Sequence, residues 1–181
     1  MARTSNFAAL SSAVINASIG DRWATAHREW DLASVDEDPT ANAECVCGQT
    51  NLRWLYTIAN LQTGSELFPI GSSCIQLFER PDLNQKVTVL ERLVKIKRAA
   101  QSREKITLTR EYFTRAVLKD LHVRGAFTPD KFNHYDPRED YDFLLAMFNK
   151  RTTMTASQQR KTSVLLNRKV VRFVSIDERL K

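Results

Sequence analysis

The chain has little glycine or proline and lacks long apolar runs. Its 181 residues include five glycines and five prolines, which excludes collagen-like and most low-complexity compositions. No stretch approaches the roughly 18 consecutive apolar residues of a membrane-spanning helix. The N-terminus shows no basic segment followed by an apolar one, so we expect a cytoplasmic protein without a membrane partner.

Cysteine is also scarce, and the motifs of several common enzymes are missing. The three cysteines are an odd number, so they do not indicate a disulfide framework, and in a reducing compartment such a set favours metal binding. The chain contains no P-loop, no dinucleotide-binding glycine motif and no Gly-x-Ser-x-Gly elbow. These absences exclude the commonest nucleotide-dependent and hydrolase classes and favour a protein that is not an enzyme.

The three cysteines frame a segment with the pattern of a β-hairpin. The Cys-Val-Cys-Gly segment at 45–48 forms a tight knuckle that directs both sulfurs the same way. Residues 52–58 alternate in strand period, and a turn at Gly64 precedes a second apolar run at 67–70. Cys74 then falls in the first turn of a predicted helix capped by Ser72, where the helix dipole favours a thiolate. The pattern predicts a structural Zn²⁺ bound by Cys45, Cys47 and Cys74.

A zinc ion held by three cysteines takes a fourth ligand. His27, on a predicted helix upstream of the knuckle, is the preferred candidate, because an intervening strand could return the chain to the cysteines. His122 and His134 lie far along the chain. A role for His27 on a helix surface is an equal alternative, and water or Glu44 could also complete the site.

Several of these residues resemble a known class of protein. The Cys-x-Cys-Gly knuckle, the Thr-Gly turn and the Gly-Ser-Ser-Cys-Ile segment at 71–75 resemble small zinc-knuckle proteins of phages and prophages, and their order is similar to a treble-clef zinc finger. The resemblance covers about residues 23–78. One residue separates the first two cysteines where two are usual, and Leu77 stands where a treble clef has a second helical ligand. The resemblance implies an accessory or host-directed role and names no activity.

The net charge of +6 is unevenly distributed. Residues 1–78 carry four basic and eight acidic groups, whereas residues 79–110 carry nine and four, and residues 150–181 carry nine and two. Clustered cations are typical of proteins that bind nucleic acid, DNA or RNA, although solvated helices show the same composition. The cations and aromatic rings predicted to contact phosphates and bases are Arg92, Lys95, Arg103, Arg160, Lys161, Arg168, Lys169, Arg172, Trp54 and Tyr56.

The periodicity predicts an α+β protein: a zinc-stapled β-hairpin module in residues 1–80, followed by a mostly helical, basic lobe in residues 81–181. In the first part we expect a helix at 5–17, a second helix that carries Trp23 to Trp30, and a short strand at 32–35. In the second part, helices are expected from about 83 to 100, after a cap at Thr107 or Thr109, after Asp136, and after a capping box of Thr155 and Gln158.

The acidic segment at 134–142 offers the best place for catalysis. It contains His134, Asp136, Glu139, Asp140 and Asp142, but helix capping explains several of these residues, because Asp136 suits the N-cap and Glu139 and Asp140 suit the positive helix end. The acidic run before Pro39 is likewise read as a turn. A nuclease site would need carboxylates that converge from separate elements.

Three functions follow in order of preference. The first is a zinc-stabilised accessory protein, of phage or mobile-element type, that binds nucleic acid. The second is a phage-encoded inhibitor or adaptor that occupies the surface of a host protein or nucleoprotein complex. The third is a metal-dependent, nuclease-like enzyme.

Overall fold

A computed structural model of the protein describes residues 2–181, with side chains described from residue 6 onward. It has an α+β fold, with one antiparallel sheet of three strands and helices before and after it. In chain order the elements are α1 (Ala2–Asn16), α2 (Trp23–Ala26), a 3₁₀ turn (His27–Glu29), β1 (Trp30–Glu37), β2 (Trp54–Asn60), β3 (Glu66–Ile70), α3 (Ser72–Gln76), α4 (Pro81–Gln101), α5 (Arg115–Val123), α6 (Pro137–Asn149), α7 (Ala156–Leu165), a π-helical segment (Leu166–Val170) and α8 (Val171–Ile176). Among the described residues, the helices are all too short or too polar to cross a membrane.

The chain forms two compact units. The first, here the sheet unit, comprises Met1–Leu90 and Glu178–Lys181, and the second, here the helical unit, comprises Glu91–Asp177. The predicted domain boundary after residue 80 stays a prediction, because a compact unit need not fold independently.

The predicted hairpin is confirmed as β2 and β3, which pair antiparallel through Tyr56 with Ile70 and Ala59 with Glu66. β1 lies on the other side of β2, with Glu37 opposite Trp54, so the hairpin is part of a larger sheet. A third strand matters because an isolated two-stranded hairpin is only marginally stable in water.

The prediction that Trp30 lies in a helix is wrong. α2 ends at Ala26, and a single 3₁₀ turn leads into β1, which begins at Trp30. The carboxylate of Glu29 accepts the backbone N–H groups of Ile19 and Gly20 at 2.9 and 2.7 Å and the side-chain amide of Asn60 at 2.8 Å. These bonds fix the 3₁₀ turn against β2, and the Trp30 ring is fully buried.

The C-terminal residues add to the sheet unit. Val35 of β1 donates its N–H to the carbonyl of Arg179 at 2.8 Å and accepts the N–H of Lys181 at 3.0 Å. Leu180 between them is buried. Leu180 therefore adds a buried side chain from the end of the chain to the sheet unit, whose fully buried side chains include Trp30, Tyr56 and Ile58.

Helix capping in the helical unit follows the sequence closely, with one exception. Asp136 caps α6 with Pro137 at the first helical position, and Thr155 and Gln158 form the expected capping box at α7. The predicted cap at Thr107 or Thr109 is wrong: α5 begins later, and its N-cap is Thr114, whose side chain accepts the N–H of Val117. The residues before it, from Ser102 to Thr114, form turns, bends and irregular segments.

Candidate metal centre

The knuckle that carries Cys45 and Cys47 is built from local backbone hydrogen bonds. Gly48 donates its N–H to the carbonyl of Cys45 at 2.7 Å, and Cys45 donates its own to the carbonyl of Gln49 at 2.8 Å. Gly48 has φ of +85°, a left-handed conformation in which glycine carries no steric penalty. The Val46 N–H donates to the carbonyl of Pro69 at 3.0 Å, so the knuckle is attached to β3.

The third cysteine comes from the helix that follows β3. Cys74 lies in the first turn of α3, as predicted, but the N-cap is Gly71 and not Ser72. The Gly71 N–H points to the Cys45 sulfur at 3.4 Å. A Cβ atom at this glycine would lie 2.8 Å from Cδ2 of Leu52, so the absence of a side chain lets the start of α3 pack closely against the Leu52 side chain.

These elements bring the three sulfurs together in a buried cluster. The Cys74 sulfur lies 3.5 Å from that of Cys45 and 3.2 Å from that of Cys47, and all three sulfurs lie within 4.8 Å of one another. Each cysteine is at most 4% exposed. Three thiolates around a tetrahedral zinc with bonds of about 2.3 Å stand roughly 3.8 Å apart. A small expansion of the cluster would therefore accommodate the ion.

Two thiols of this cluster, Cys45 and Cys74, have pKa values that shift in opposite directions. The hydrogen bond with Cys74 lowers the pKa of Cys45, and the Gly71 N–H acts in the same direction. The same hydrogen bond, together with burial, raises the pKa of Cys74. The Cys45 thiolate is thus favoured and the Cys74 thiolate is disfavoured while no cation is present. A divalent metal ion reverses this balance, because it binds thiolates and releases their protons.

His27 is not brought into the cluster. Its Nδ1 lies 2.6 Å from the carbonyl oxygen of Trp23 one helical turn earlier, and its ring stacks on the Trp23 ring with centroids 5.5 Å apart. Glu44 is exposed and does not join the sulfurs either. Within the described part of the chain, the three cysteines are the one group of three or more metal-binding side chains close enough to share an ion.

The acidic segment at 134–142 does not converge on a common point. Asp136 caps α6, Glu139 lies 2.9 Å from Nδ1 of His134, and Asp142 pairs with Arg138 at 3.4 Å. Asp140 points the other way, into the helical unit, where it is 2% exposed. Each group therefore has a local structural contact of its own.

The predicted nucleic-acid contacts fall into two sets. Exposed cations are found at Lys95, Arg103, Arg160, Lys161, Arg168 and Arg172. The other predicted contacts are partly or fully buried, or make hydrogen bonds within the protein. Arg92 donates to the carbonyls of Arg110 and Glu111, both at 2.6 Å. Trp54 is half-buried, and Tyr56 is fully buried, so the Tyr56 ring is not available to a base.

Lys169 belongs to a buried ionic network that periodicity did not reveal. Its ammonium group lies 2.6 Å from Asp140 and 2.8 Å from Asp130, and it donates to the carbonyl of Thr128 at 2.8 Å. Asn133, which is fully buried, donates to Asp140 at 2.9 Å. Burial disfavours the ammonium, but the hydrogen bonds to Asp130 and Asp140 outweigh it and raise the pKa of Lys169.

The backbone around Lys169 is unusual as well. Residues 166–170 form a π-helical segment between α7 and α8, and such segments insert one extra residue into a helix. Residues 166–170 contain no proline or glycine, so the sequence did not indicate the π-helical segment.

Comparisons with known proteins add no family assignment: no protein-family model, curated protein or solved structure matches the chain. The part of the zinc-knuckle resemblance that the structure supports is the buried cluster of three cysteines, which is compatible with a structural metal site.

Proposed function

We propose that the protein is a non-enzymatic, zinc-stabilised accessory protein, of phage or mobile-element type, that binds nucleic acid. The zinc is structural. It joins the knuckle at 45–48 to the start of α3 and so stabilises the hairpin module between them, as in a treble clef. Support comes from the buried sulfur cluster, whose ligand type and spacing suit zinc.

Binding to nucleic acid rests on one observation, the exposed cations of the helical stretch from α7 to α8. Arg160, Lys161, Arg168 and Arg172 are exposed. Arg160, Arg168 and Arg172 are separated by eight and four residues, and the extra residue of the π-helical segment at 166–170 brings these spacings close to whole α-helical turns, so the three fall along one side of the helical stretch. Lys169, between them in sequence, is excluded from this set because its charge is neutralised by Asp130 and Asp140. A row of unneutralised cations favours contact with phosphates.

A non-enzymatic role is supported by the separate engagement of the acidic side chains at 134–142. Nuclease chemistry requires carboxylates that hold metal ions together at one place. Asp140 and Glu139 instead contact Lys169 and His134.

The test is a fluorescence-anisotropy titration of labelled single- and double-stranded DNA and RNA at low salt. The triple variant Arg160→Gln, Arg168→Gln and Arg172→Gln should weaken binding to all sequences about equally and reduce the salt slope by roughly 0.7 to 0.9 per lost phosphate contact. The matched control replaces three exposed cations of the same unit elsewhere, Lys119, Lys131 and Arg138, and should change affinity little. Failure of the wild-type protein to bind any of these nucleic acids contradicts the proposal.

A second candidate function, an inhibitor or adaptor that binds a host protein, is favoured by exposed apolar side chains. Phe132 is 75% exposed and Val164 is 50% exposed, and both line a groove of about 690 Å³ in the helical unit. An apolar interface of this kind keeps its affinity at high salt, whereas phosphate binding weakens steeply. Capture of a host protein that resists both salt and nuclease treatment would therefore select this function.

A further inference from the structure

A groove in the helical unit, apart from the cations of α7 and α8, gathers five basic side chains. Its volume is about 700 Å³, within the range of ligand-binding clefts. The cations come from α4, from the turns before and at the start of α5, and from the loop after α6. They are Arg92, Arg110, Arg115, Lys150 and Arg151.

The acidic side chains of the unit do not line this groove. Its remaining lining consists of two phenylalanines, Thr114 and Asn149. Glu111 contributes its carbonyl oxygen to Arg92, but its carboxylate is not part of the lining. Five cations around one concave surface repel one another, and a low-dielectric wall strengthens the field between them. A bound polyanion relieves this repulsion.

Three of the five cations are fixed in place by the protein. Arg92 donates to two backbone carbonyls at 2.6 Å, Arg115 donates through Nε to Asn149 at 2.9 Å, and Lys150 donates to Gln158 at 2.7 Å. All of these partners are neutral, so they orient the cations without cancelling their charge. Pre-organised donors lose less side-chain entropy when a ligand binds.

We infer that this groove binds a ligand that carries two or more adjacent phosphates. Arginine is suited to this task, because its planar guanidinium donates two parallel hydrogen bonds to a phosphate. The half-buried ring of Phe148 forms part of the wall and offers an apolar surface beside the cations. The ligand is either the backbone of a nucleic acid, in which case the inference rests on the proposed function and adds a second contact site to it, or a free polyphosphate.

The experiment compares two probes, a fluorescein-labelled single-stranded 12-mer in anisotropy and inorganic tripolyphosphate in calorimetry, both at low salt. The test variant is Arg110→Gln with Arg151→Gln, because these two side chains are exposed and line the groove. The control, Lys119→Gln with Arg138→Gln, removes the same charge from the same unit outside the groove. Thermal melting of both variants checks that the fold is retained.

We expect the test variant to bind the 12-mer at least about tenfold more weakly, with a salt slope lower by roughly 1.4 for two lost contacts, while the control changes less than about threefold. If only tripolyphosphate binds, and the test variant loses it, the groove is a polyphosphate site and adds no contact to single-stranded nucleic acid; the proposed function is then decided by the full titration of single- and double-stranded DNA and RNA. If the 12-mer binds but the test variant and the control weaken it equally, the groove inference is wrong and the proposed function stands. Absence of binding to both probes overturns the groove inference.

Discussion

Replacement of Lys169 by methionine is predicted to destabilise the helical unit strongly. Methionine keeps the length and the helix propensity of lysine but removes the ammonium group. Asp140, which is 2% exposed, then loses its cation at 2.6 Å and keeps only the amide of Asn133. Removal of one partner from a buried ion pair costs about 3 to 5 kcal/mol, because the remaining charge is buried without compensation.

We expect the free energy of unfolding to fall by about 3 kcal/mol, the lower end of this range, because the Asn133 hydrogen bond to Asp140 remains. For a chain of this size, that corresponds to a fall of roughly 6 to 12 °C in melting temperature. The measurement is a thermal or urea melt followed by far-UV circular dichroism. Arg168→Met is the matched control, since Arg168 is adjacent, has the same charge and is exposed, and it should change stability by less than about 0.5 kcal/mol.

A second substitution tests whether the unpaired Asp140 carboxylate causes the loss of stability. If the cost arises from the unpaired carboxylate, Asp140→Asn in the Lys169→Met background should restore part of the lost stability, because the buried charge is then absent. Equal melting temperatures for Lys169→Met and Arg168→Met would refute the reasoning, because the contact with Asp140 would then contribute nothing measurable to stability.

Three further predictions follow from the structure. The hydrogen bond from Lys169 lowers the pKa of Asp130 below its ordinary value of 3.8. The stability that this bond contributes is therefore fully present above pH 3.8 and is lost as the pH falls through the lowered pKa. In acid titrations, the stability difference between wild type and Lys169→Met should narrow below about pH 4. Metal removal by a chelator under reducing conditions should lower the melting temperature reported by tryptophan fluorescence, because all three tryptophans lie in the sheet unit. Thr155→Ala should cost about 1 kcal/mol in a urea melt through loss of the α7 capping box, whereas Thr152→Ala, outside any helix, should cost little.

The features that the sequence predicted well depend on local chemistry. The turn at Gly64 and the caps at Asp136 and Thr155 each act over a few residues, and the structure has all three. The strand predicted at 52–58 is present as β2, Trp54–Asn60, but residues 55–58 are all buried and do not alternate. The three cysteines were predicted to meet because a knuckle, a hairpin and a helix start leave few other arrangements.

The features that the sequence missed depend on contacts between distant residues. Trp30 has the spacing of a helical residue, but tertiary hydrogen bonds donated to Glu29 by Gly20 and Asn60, and the pairing of Trp30 with Asn60, place it in a strand. Lys169 meets Asp140 and Asp130 across 29 and 39 residues of sequence. Periodicity predicts which face of a helix or strand is buried, but it does not predict which distant residues that face contacts.

The candidate metal ligands show the same limit. His27 was a reasonable fourth ligand by residue type, but its Nδ1 contacts the carbonyl of Trp23, and its ring stacks on the Trp23 side chain. A sequence alone cannot supply the distance between a helix and a knuckle, whereas the structure shows that the three cysteines are close enough to share an ion.

The most direct test of the metal centre is the zinc content of protein purified without chelator under reducing conditions, measured by inductively coupled plasma mass spectrometry. The cluster of Cys45, Cys47 and Cys74 predicts close to one zinc ion per chain in the wild type and almost none in Cys74→Ser, while His27→Ala should retain the ion. A wild-type protein that contains no zinc, and takes up none when zinc is added, would contradict the account.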